Sequence, residues 1–220
     1  MLKSKKMWLV FKTYYPEIIM LIGSLATWSP MVYAIFIWLP IYLSEIVLVN
    51  TYNPFVLNVC MLVLFVGFTP FWGYFIDLLR PKYGHDVYRY NLLAGSLLTS
   101  IVSIPGFLLV QQDNVISATI GYFLMMIPLL MYGSCMFIFC VERFAVLDRL
   151  TGVGYAYNFS HCVWSSSITS VLTVLAKDYT LTAPAIYILC INLVAAAATS
   201  FGYHWVAERR RRLEELSSSS

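Results

Sequence analysis

The sequence predicts an all-α membrane protein built from six transmembrane helices. Of its 220 residues, 60% are hydrophobic and only 11% are charged, and the mean hydropathy is +0.75. A water-soluble domain of this size carries more charge and less apolar surface. The charge that is present falls between and around six apolar runs, so these runs are expected to lie in lipid.

The six apolar runs give the predicted helices in order. A helix that crosses the bilayer core needs about 20 apolar residues, because every backbone amide in hydrocarbon must be bonded within its own segment. Residues 1–17 are predicted to form a segment outside the membrane, and residues 207–220 a charged tail. The transmembrane domain is predicted over 18–206, with helices at 18–44, 54–76, 91–110, 115–141, 152–176 and 181–206.

The orientation of these helices follows from the basic residues. Every Lys and Arg except Lys177 lies before the first helix, in the second–third or fourth–fifth connection, or after the sixth helix. Short loops rich in Lys and Arg stay in the cytoplasm, so both termini are predicted to be cytoplasmic. The apolar run after the basic leader is too long for a signal peptide. The basic residues form no single stripe, so nucleic acid is not an expected partner.

Cysteine spacing and enzyme motifs give no sign of catalysis. All five cysteines fall inside apolar runs without metal-ligand or disulfide spacing, which predicts buried thiols, no metal and no cofactor. An intramembrane serine protease would need Gly-x-Ser-x-Gly, and a metalloprotease would need His-Glu-x-x-His. Neither motif occurs in the sequence, so the protein is not expected to be an enzyme.

Three segments carry polar or aromatic residues at distinctive spacing. The first closes the second helix, where Gly73 precedes Asp77 and a basic loop follows. The second is the connection between the fourth and fifth helices, and the third is the stretch from Trp38 to Ser44 at the end of the first helix. The residues of the second segment are Glu142, Phe144, Arg149, Thr151, Gly152, Tyr157 and Asn158.

Together these segments resemble the major facilitator superfamily, and within it the metabolite:proton symporters of the proline/betaine transporter type. The resemblance covers nearly the whole chain but matches only the C-terminal six helices of such a transporter. It implies a six-helix bundle like one half of the major facilitator fold, which is a 3+3 inverted repeat. It also implies a place in a bacterial inner (plasma) membrane.

The sequence departs from the family pattern at several positions. Leu78 stands where the family has arginine, and Arg80 stands where it has glycine. Ala145 replaces a proline, and Ser165–Ser166 replaces a glycine pair. The match also lacks the N-terminal six helices, and in this superfamily the substrate lies between two six-helix halves. Transport would therefore require a second half, either another copy in a homodimer or a separate N-terminal half.

A charge cluster is predicted at the cytoplasmic ends of the helices. Asp77 ends a membrane helix, where a carboxylate is costly unless it finds hydrogen-bond donors. The amides at the start of the fifth helix, with Arg149 beside them, are candidate donors. The cluster of Asp77, Arg80, Glu142 and Arg149 is predicted to latch the inner gate of a transporter. The alternative is a set of interfacial charges that only fixes the topology.

A substrate cavity is predicted along the fifth helix. Asn158, His161 and Ser165 recur at helical spacing, so they are expected to face the bundle or a cavity. Trp28, Tyr33 and Tyr132 could offer aromatic faces to a quaternary ammonium. His161 is also a candidate for proton coupling. The alternatives are a neutral hydrogen-bonding histidine and aromatic side chains that serve packing alone.

The function that these features favour is that of a half-sized secondary transporter subunit or fragment. It would carry small osmolytes or metabolites of the proline/betaine kind across the membrane together with a proton. Its expected partners are the lipid bilayer, a second transporter half, a small solute and a proton. The alternatives are a non-transporting assembly or regulatory protein of the membrane, and an inactive remnant of a split transporter gene.

Overall fold

The computed structural model describes residues 2–84 and 86–218, without the side chains of residues 2–6, 210, 213, 214 and 216–218. Within this part the chain has no strand, and it contains six helices long and apolar enough to cross a membrane. These are Met7–Glu45 (α1), Pro54–Tyr83 (α2), Asp86–Val110 (α3), Val115–Val141 (α4), Arg149–Asp178 (α5) and Ala183–Arg209 (α6). The predicted all-α fold is confirmed, and the chain is a multi-pass integral membrane protein.

Several helices extend beyond the apolar runs into charged sequence. The helix that contains α1 begins at Leu2 and bends at Tyr14, whose φ of −108° and ψ of 20° are not helical. The bend comes two residues before Pro16, which cannot donate a backbone hydrogen bond. At the other end of the chain, the helix of α6 continues to Ser218. Hydropathy identifies the part of a helix that lies in lipid. The helix can continue beyond that part into water, so it is longer than the apolar run.

Local capping residues explain where the helices begin and end. Asn53 accepts hydrogen bonds from two amides of the first turn of α2, and Pro54 supplies the fixed φ favoured at the first helical position. Asn114 caps α4 in the same way. Gly84 ends α2 with a φ of +65°, a conformation that glycine adopts without steric cost. The turn from α2 to α3 is therefore short.

The bundle is built around α1 and α4, whose side chains are mostly buried, while α2 and α5 are mostly exposed. The most extensive helix contacts are between α3 and α4, α1 and α5, α3 and α6, and α1 and α6, and α2 packs mainly against α4. At the first of these contacts, a Cβ atom on Gly121 would lie 2.7 Å from the carbonyl oxygen of Gly106. Small residues let the two backbones approach, as is usual between membrane helices.

The two ends of the bundle differ in charge. We call the end with both chain termini, the α2–α3 turn and the α4–α5 loop the basic end, and the other the opposite end. At the opposite end, one Asp113 carboxylate oxygen accepts hydrogen bonds from the amides of Asn50 and Thr51 and from the Thr51 hydroxyl, at 3.1, 3.0 and 2.7 Å. These bonds join the α1–α2 and α3–α4 loops. Burial, together with the Asp113 charge, raises the pKa of Tyr52 beside them to about 12.

Asp113 is expected to hold the Asn50–Thr51 loop in place in a pH-dependent manner. The hydrogen bonds from Thr51 lower the pKa of Asp113 below its ordinary value of 3.8. A carboxyl whose folded-state pKa is lowered stabilises the fold above its unfolded-state pKa, and this contribution is lost as the pH falls through the folded-state value. The Thr51 amide resonance should therefore titrate with a midpoint below 3.8, and Asp113→Ala should raise amide exchange at Asn50 and Thr51 several-fold at pH 7.

The control for this loop is Asp178→Ala, which removes a carboxylate from the end of α5 on the same side of the bundle. It should leave exchange at Asn50 and Thr51 unchanged. Equal exchange in the wild type and in Asp113→Ala would contradict a role for this carboxylate in joining the two loops.

Candidate functional site

The middle of α5 contains a widened, π-helical turn over His161–Ser165. The amide of Ser166 donates to the carbonyl of His161 at 3.2 Å, so the bond spans five residues instead of four. Turns of this kind are frequent at functional sites, and the described part of the chain has two more, at Ala34–Trp38 in α1 and Ala198–Gly202 in α6. The wide turn lies close to Trp28–Tyr33 of α1.

A polar pocket of about 400 Å³ opens at this turn, and we call it the α5 pocket. The ring of His161 lies between two tyrosines, with centroids 6.4 Å from Tyr33 and 4.3 Å from Tyr157. Within the described part of the chain, His161 Nε2 and Ser165 Oγ are buried atoms without a hydrogen-bond partner. Polar groups at this depth are costly in lipid, so they are available to bind a ligand. The pocket is lined by Tyr33, His161, Cys162, Ser165, Ser166 and Thr169.

Three of the predicted cavity residues, Tyr33, His161 and Ser165, therefore meet in the α5 pocket. The other three do not line it. Asn158 donates to the carbonyl of Gly154 at 2.7 Å and lines a neighbouring apolar depression together with Gly154 and Cys162. Tyr132 is fully buried and donates to the Ser24 carbonyl. Trp28 packs its ring against Gly133.

The thiol of Cys162 is exposed beside the α5 pocket. The prediction of five buried cysteines is correct for Cys135 and Cys140, but it is wrong for Cys60, Cys162 and Cys190. These three lie on outward-facing sides of their helices, and hydropathy does not distinguish such a side from the core. Cys162 therefore supplies a native reporter of access to the pocket.

The aromatic segment at the end of α1 attaches this helix to α5 and to the α5–α6 loop. Trp38 Nε1 donates to Thr173 Oγ1 at 2.8 Å, and the Tyr42 hydroxyl donates to the Leu181 carbonyl at 2.8 Å. The two rings stack with a centroid distance of 4.6 Å. The Trp38–Ser44 motif thus closes the bundle at the opposite end, above the α5 pocket, and fixes α1 against the helix that carries the pocket.

At the basic end, two members of the predicted charge cluster contact a tyrosine, and a third acts on it electrostatically. Asp77 Oδ1 accepts a hydrogen bond of 2.9 Å from the Tyr88 hydroxyl, and the Arg80 guanidinium lies 5.8 Å from the Tyr88 ring centroid. Glu142 is close enough to act electrostatically on the same hydroxyl. The donor that Asp77 receives therefore comes from α3, and not from the start of α5.

The fourth member, Arg149, makes its hydrogen bond within its own loop. Its Nε donates to the Phe144 carbonyl at 3.4 Å. The Phe144 ring is buried and lies directly over Gly152, where a Cβ atom would come within 2.3 Å of the ring. This contact gives a physical reason for the Phe–Arg–Gly spacing of the motif, since the loop folds back on the first turn of α5. Gly73 similarly faces Ser134 of α4.

Two buried polar residues at the basic end were not singled out from the sequence. Tyr88 is 1% exposed, and its position in a polar stretch before the third apolar run gave no sign of a partner. Glu17 is 4% exposed, although it belongs to the predicted leader. For Glu17, the position of a carboxylate directly before an apolar run is the one sequence feature that could indicate burial. Within the part of the chain that the structure describes, no three His, Cys, Asp or Glu side chains could share a metal ion.

The comparison with known proteins gives a distant relative among transporters. Over 193 residues, the chain is 23% identical to the ectoine/proline transporter ProP of Corynebacterium glutamicum. The match covers 87% of this chain but only 37% of that protein, so the chain spans little more than a third of its relative's length. No family model matches the chain. No solved structure matches it either.

Proposed function

We propose that the chain is one half of a secondary transporter and that its α5 pocket forms one wall of a solute site. The observation that carries the proposal is the pocket itself, a polar recess with two buried atoms lacking partners in the middle of an apolar helix. Distant similarity to an ectoine/proline transporter supports it. The basic end would face the cytoplasm, as the distribution of Lys and Arg favours.

The second half would cover the exposed faces of α2 and α5. The α5 pocket is open, so one chain surrounds a bound solute on one side only. In major facilitator transporters two six-helix halves rock around a site near the bilayer midplane. Another copy of this chain or a separate N-terminal half would supply the opposite wall. This requirement is part of the proposal.

The solute that fits this pocket is a small osmolyte of the proline/betaine kind. Tyr33 lines the pocket beside His161 and offers an aromatic face to a quaternary or secondary ammonium. His161 Nε2 and the Ser165 hydroxyl can donate to a carboxylate. An imidazole has a reference pKa nearer to neutral pH than a hydroxyl or a thiol, so His161 is the group that we assign to proton coupling.

Uptake into proteoliposomes tests this proposal. The chain should be reconstituted alone and with a co-expressed six-helix N-terminal half, and labelled proline, betaine and ectoine should be supplied. Uptake by the chain alone would support a homodimer, and uptake with the second half only would support a split transporter. A lack of uptake in both preparations would contradict transport and would favour a non-transporting membrane protein.

We further propose that the charge cluster acts as an inner latch centred on Tyr88. Asp77 and Arg80 lie near the end of α2 and Tyr88 near the start of α3, so the contact ties these two helix ends together. The charge of Glu142, which follows α4, acts on the same hydroxyl. Arg149, Thr151 and Gly152 would hold the α4–α5 loop beside it. Opening of the basic end would then require the Tyr88 hydroxyl to leave Asp77.

Asp77→Asn is expected to loosen the basic end. A hydrogen bond to a carboxylate is worth about 1 kcal/mol more than one to a neutral amide, so the opened state should rise about fivefold. The reporter is the native Cys140, which is 2% exposed near the end of α4. With the other four cysteines replaced by serine, maleimide labelling of Cys140 should accelerate by this factor.

Tyr88→Phe provides the matched control for this prediction. It removes the other partner of the same hydrogen bond, so it should accelerate Cys140 labelling to a similar extent. The double variant should then add little to either single variant. Additive effects, or unchanged labelling in Asp77→Asn, would mean that the Asp77–Tyr88 contact does not latch this end.

A further inference from the structure

A second cavity, separate from the α5 pocket, lies at the basic end. It has a volume of about 460 Å³ and lies between the start of α1, the α4–α5 loop and the end of α6. Its size is sufficient for a small polar group. We call it the charged cavity because four of its lining residues carry a charge: Glu17, Glu142, Arg143 and Arg209.

The charged cavity contains both signs of charge in equal number. Glu17, on the α1 side, is 4% exposed, and Glu142 comes from the α4–α5 loop. The two arginines are positioned by aromatic rings. The Arg143 guanidinium lies 4.8 Å from the Phe139 centroid, and that of Arg209 lies 4.7 Å from the Tyr15 centroid. A ligand that matches this cavity carries an anionic and a cationic group.

The charged cavity lies at the depth of lipid headgroups. Glu17 directly precedes the apolar run of α1, Glu142 directly follows that of α4, and Val206 ends that of α6. Ends of apolar runs lie at the boundary between hydrocarbon and water. Towards the membrane centre on α1 and α6, large apolar side chains point outward at Ile19, Phe201 and Trp205. These exposed side chains belong to two helices that border the cavity, and they offer a surface for acyl chains.

The hydrogen-bonding groups of the four charged residues determine which lipid headgroup the cavity fits. Arginine binds phosphate through paired N–H donors in a planar fork. A primary ammonium carries three N–H donors, which carboxylates accept. A trimethylammonium group has no such donors, and a phosphoglycerol headgroup has no cation. Phosphoethanolamine is therefore the headgroup whose charges and donors match those of the cavity.

We propose that the charged cavity binds the phosphoethanolamine headgroup of a phospholipid, with Arg143 and Arg209 on the phosphate and Glu17 and Glu142 on the ammonium. The lipid would connect α1, the α4–α5 loop and α6 at the basic end. This role does not depend on transport, because it concerns a contact of the six-helix chain with its own bilayer.

The test compares three lipids on the purified full chain. Dioleoyl phosphatidylethanolamine, phosphatidylcholine and phosphatidylglycerol are titrated in detergent, and binding is followed by the rise in Tm and by lipid retention in native mass spectrometry. We expect phosphatidylethanolamine to bind more tightly than the other two. Arg209→Gln should weaken that binding by about tenfold, since it removes a charged pair of hydrogen bonds to phosphate.

Matched variants test the recognition of the ammonium separately from that of the phosphate. Glu142→Gln should weaken binding of phosphatidylethanolamine but leave that of phosphatidylglycerol unchanged, because only the former carries an ammonium. Arg212→Gln is the control, since Arg212 pairs with Glu208 on the exposed surface of the tail helix. It should bind all three lipids as the wild type does.

Two outcomes would overturn the proposal. One is equal binding of the three lipids, or wild-type binding of phosphatidylethanolamine by Arg209→Gln, since the headgroup would then not be recognised. The other concerns the source of the headgroup. If soluble phosphoethanolamine raises the Tm as much as the lipid does, the cavity is a site for a soluble aminophosphate, and the lipid assignment is wrong.

Discussion

Gly121→Ala is expected to destabilise the protein by about 2 kcal/mol. The new Cβ would meet the Gly106 carbonyl oxygen and the Val110 side chain, each at 2.7 Å. One of these neighbours is backbone and cannot rotate away, so α3 and α4 have to separate. Because these two helices form the most extensive contact of the bundle, the loss spreads along both of them.

Gly67→Ala is the matched control for this prediction. It adds the same methyl group to a membrane helix, but nothing lies within 4 Å of the new Cβ on the exposed side of α2. Equilibrium unfolding of both variants in mixed micelles, followed by circular dichroism, gives the comparison. We expect Gly67→Ala to be neutral or slightly stabilising, because alanine is the better helix former. Equal stability of the two variants would show that α3 and α4 tolerate a wider separation.

Ser166→Trp is expected to reduce solute uptake by about tenfold or more, provided that the chain transports with its second half. Ser166 lines the α5 pocket and is exposed, so an indole at this position occupies the pocket without disturbing the core. A solute that needs both His161 and Ser165 would then lose access to them. Uptake of labelled betaine into proteoliposomes measures the effect.

Ser167→Trp provides the control for the pocket prediction. Ser167 is the next residue of α5, is equally exposed, and does not line the α5 pocket. The same bulk should therefore leave uptake near that of the wild type. Labelling of Cys162 gives a second readout, since the indole at 166 should slow it and the indole at 167 should not. Full uptake by Ser166→Trp would mean that the solute binds elsewhere.

Hydropathy alone was sufficient to predict six spans, because lipid imposes a length and an apolar composition on each of them. It did not predict where the helices end. Thus α2 continues to Tyr83 and α3 begins at Asp86, although the apolar runs end at 76 and begin at 91. The bonds that extend these helices are local and polar, as in the turn at Gly84. A hydropathy count does not detect such bonds.

Helical spacing predicted only part of the site. His161 and Ser165 are four residues apart and share the α5 pocket, as expected. Asn158 was expected beside them, but its side chain donates to the Gly154 carbonyl and lines the neighbouring depression. The π-helical turn over His161–Ser165 was not predicted either. No residue type in this stretch predicts a wide turn. Its presence depends on how α5 packs against α1.

The hydrogen-bond partner of Asp77 could not be predicted from the sequence either. Both the start of α5 and Tyr88 of α3 offer suitable donors, and the choice between them depends on how the helices are arranged around α4. The short α2–α3 turn brings Tyr88 to Asp77 after only eleven residues. Hydrogen bonds from a neighbouring helix of the same hairpin are therefore the first to consider for a charge at a helix end.

The wide turn in α5 has a consequence for how polar side chains can move in lipid. A regular helix turns by about 100° per residue, and the His161–Ser165 segment holds one residue more than its neighbours need. If this surplus residue migrates along the helix by one register, each side chain that it passes swings by about the same angle. The two ends of α5 stay where they are. Ser165 and Thr169 could thus be turned towards or away from a solute by a rearrangement of a few backbone hydrogen bonds.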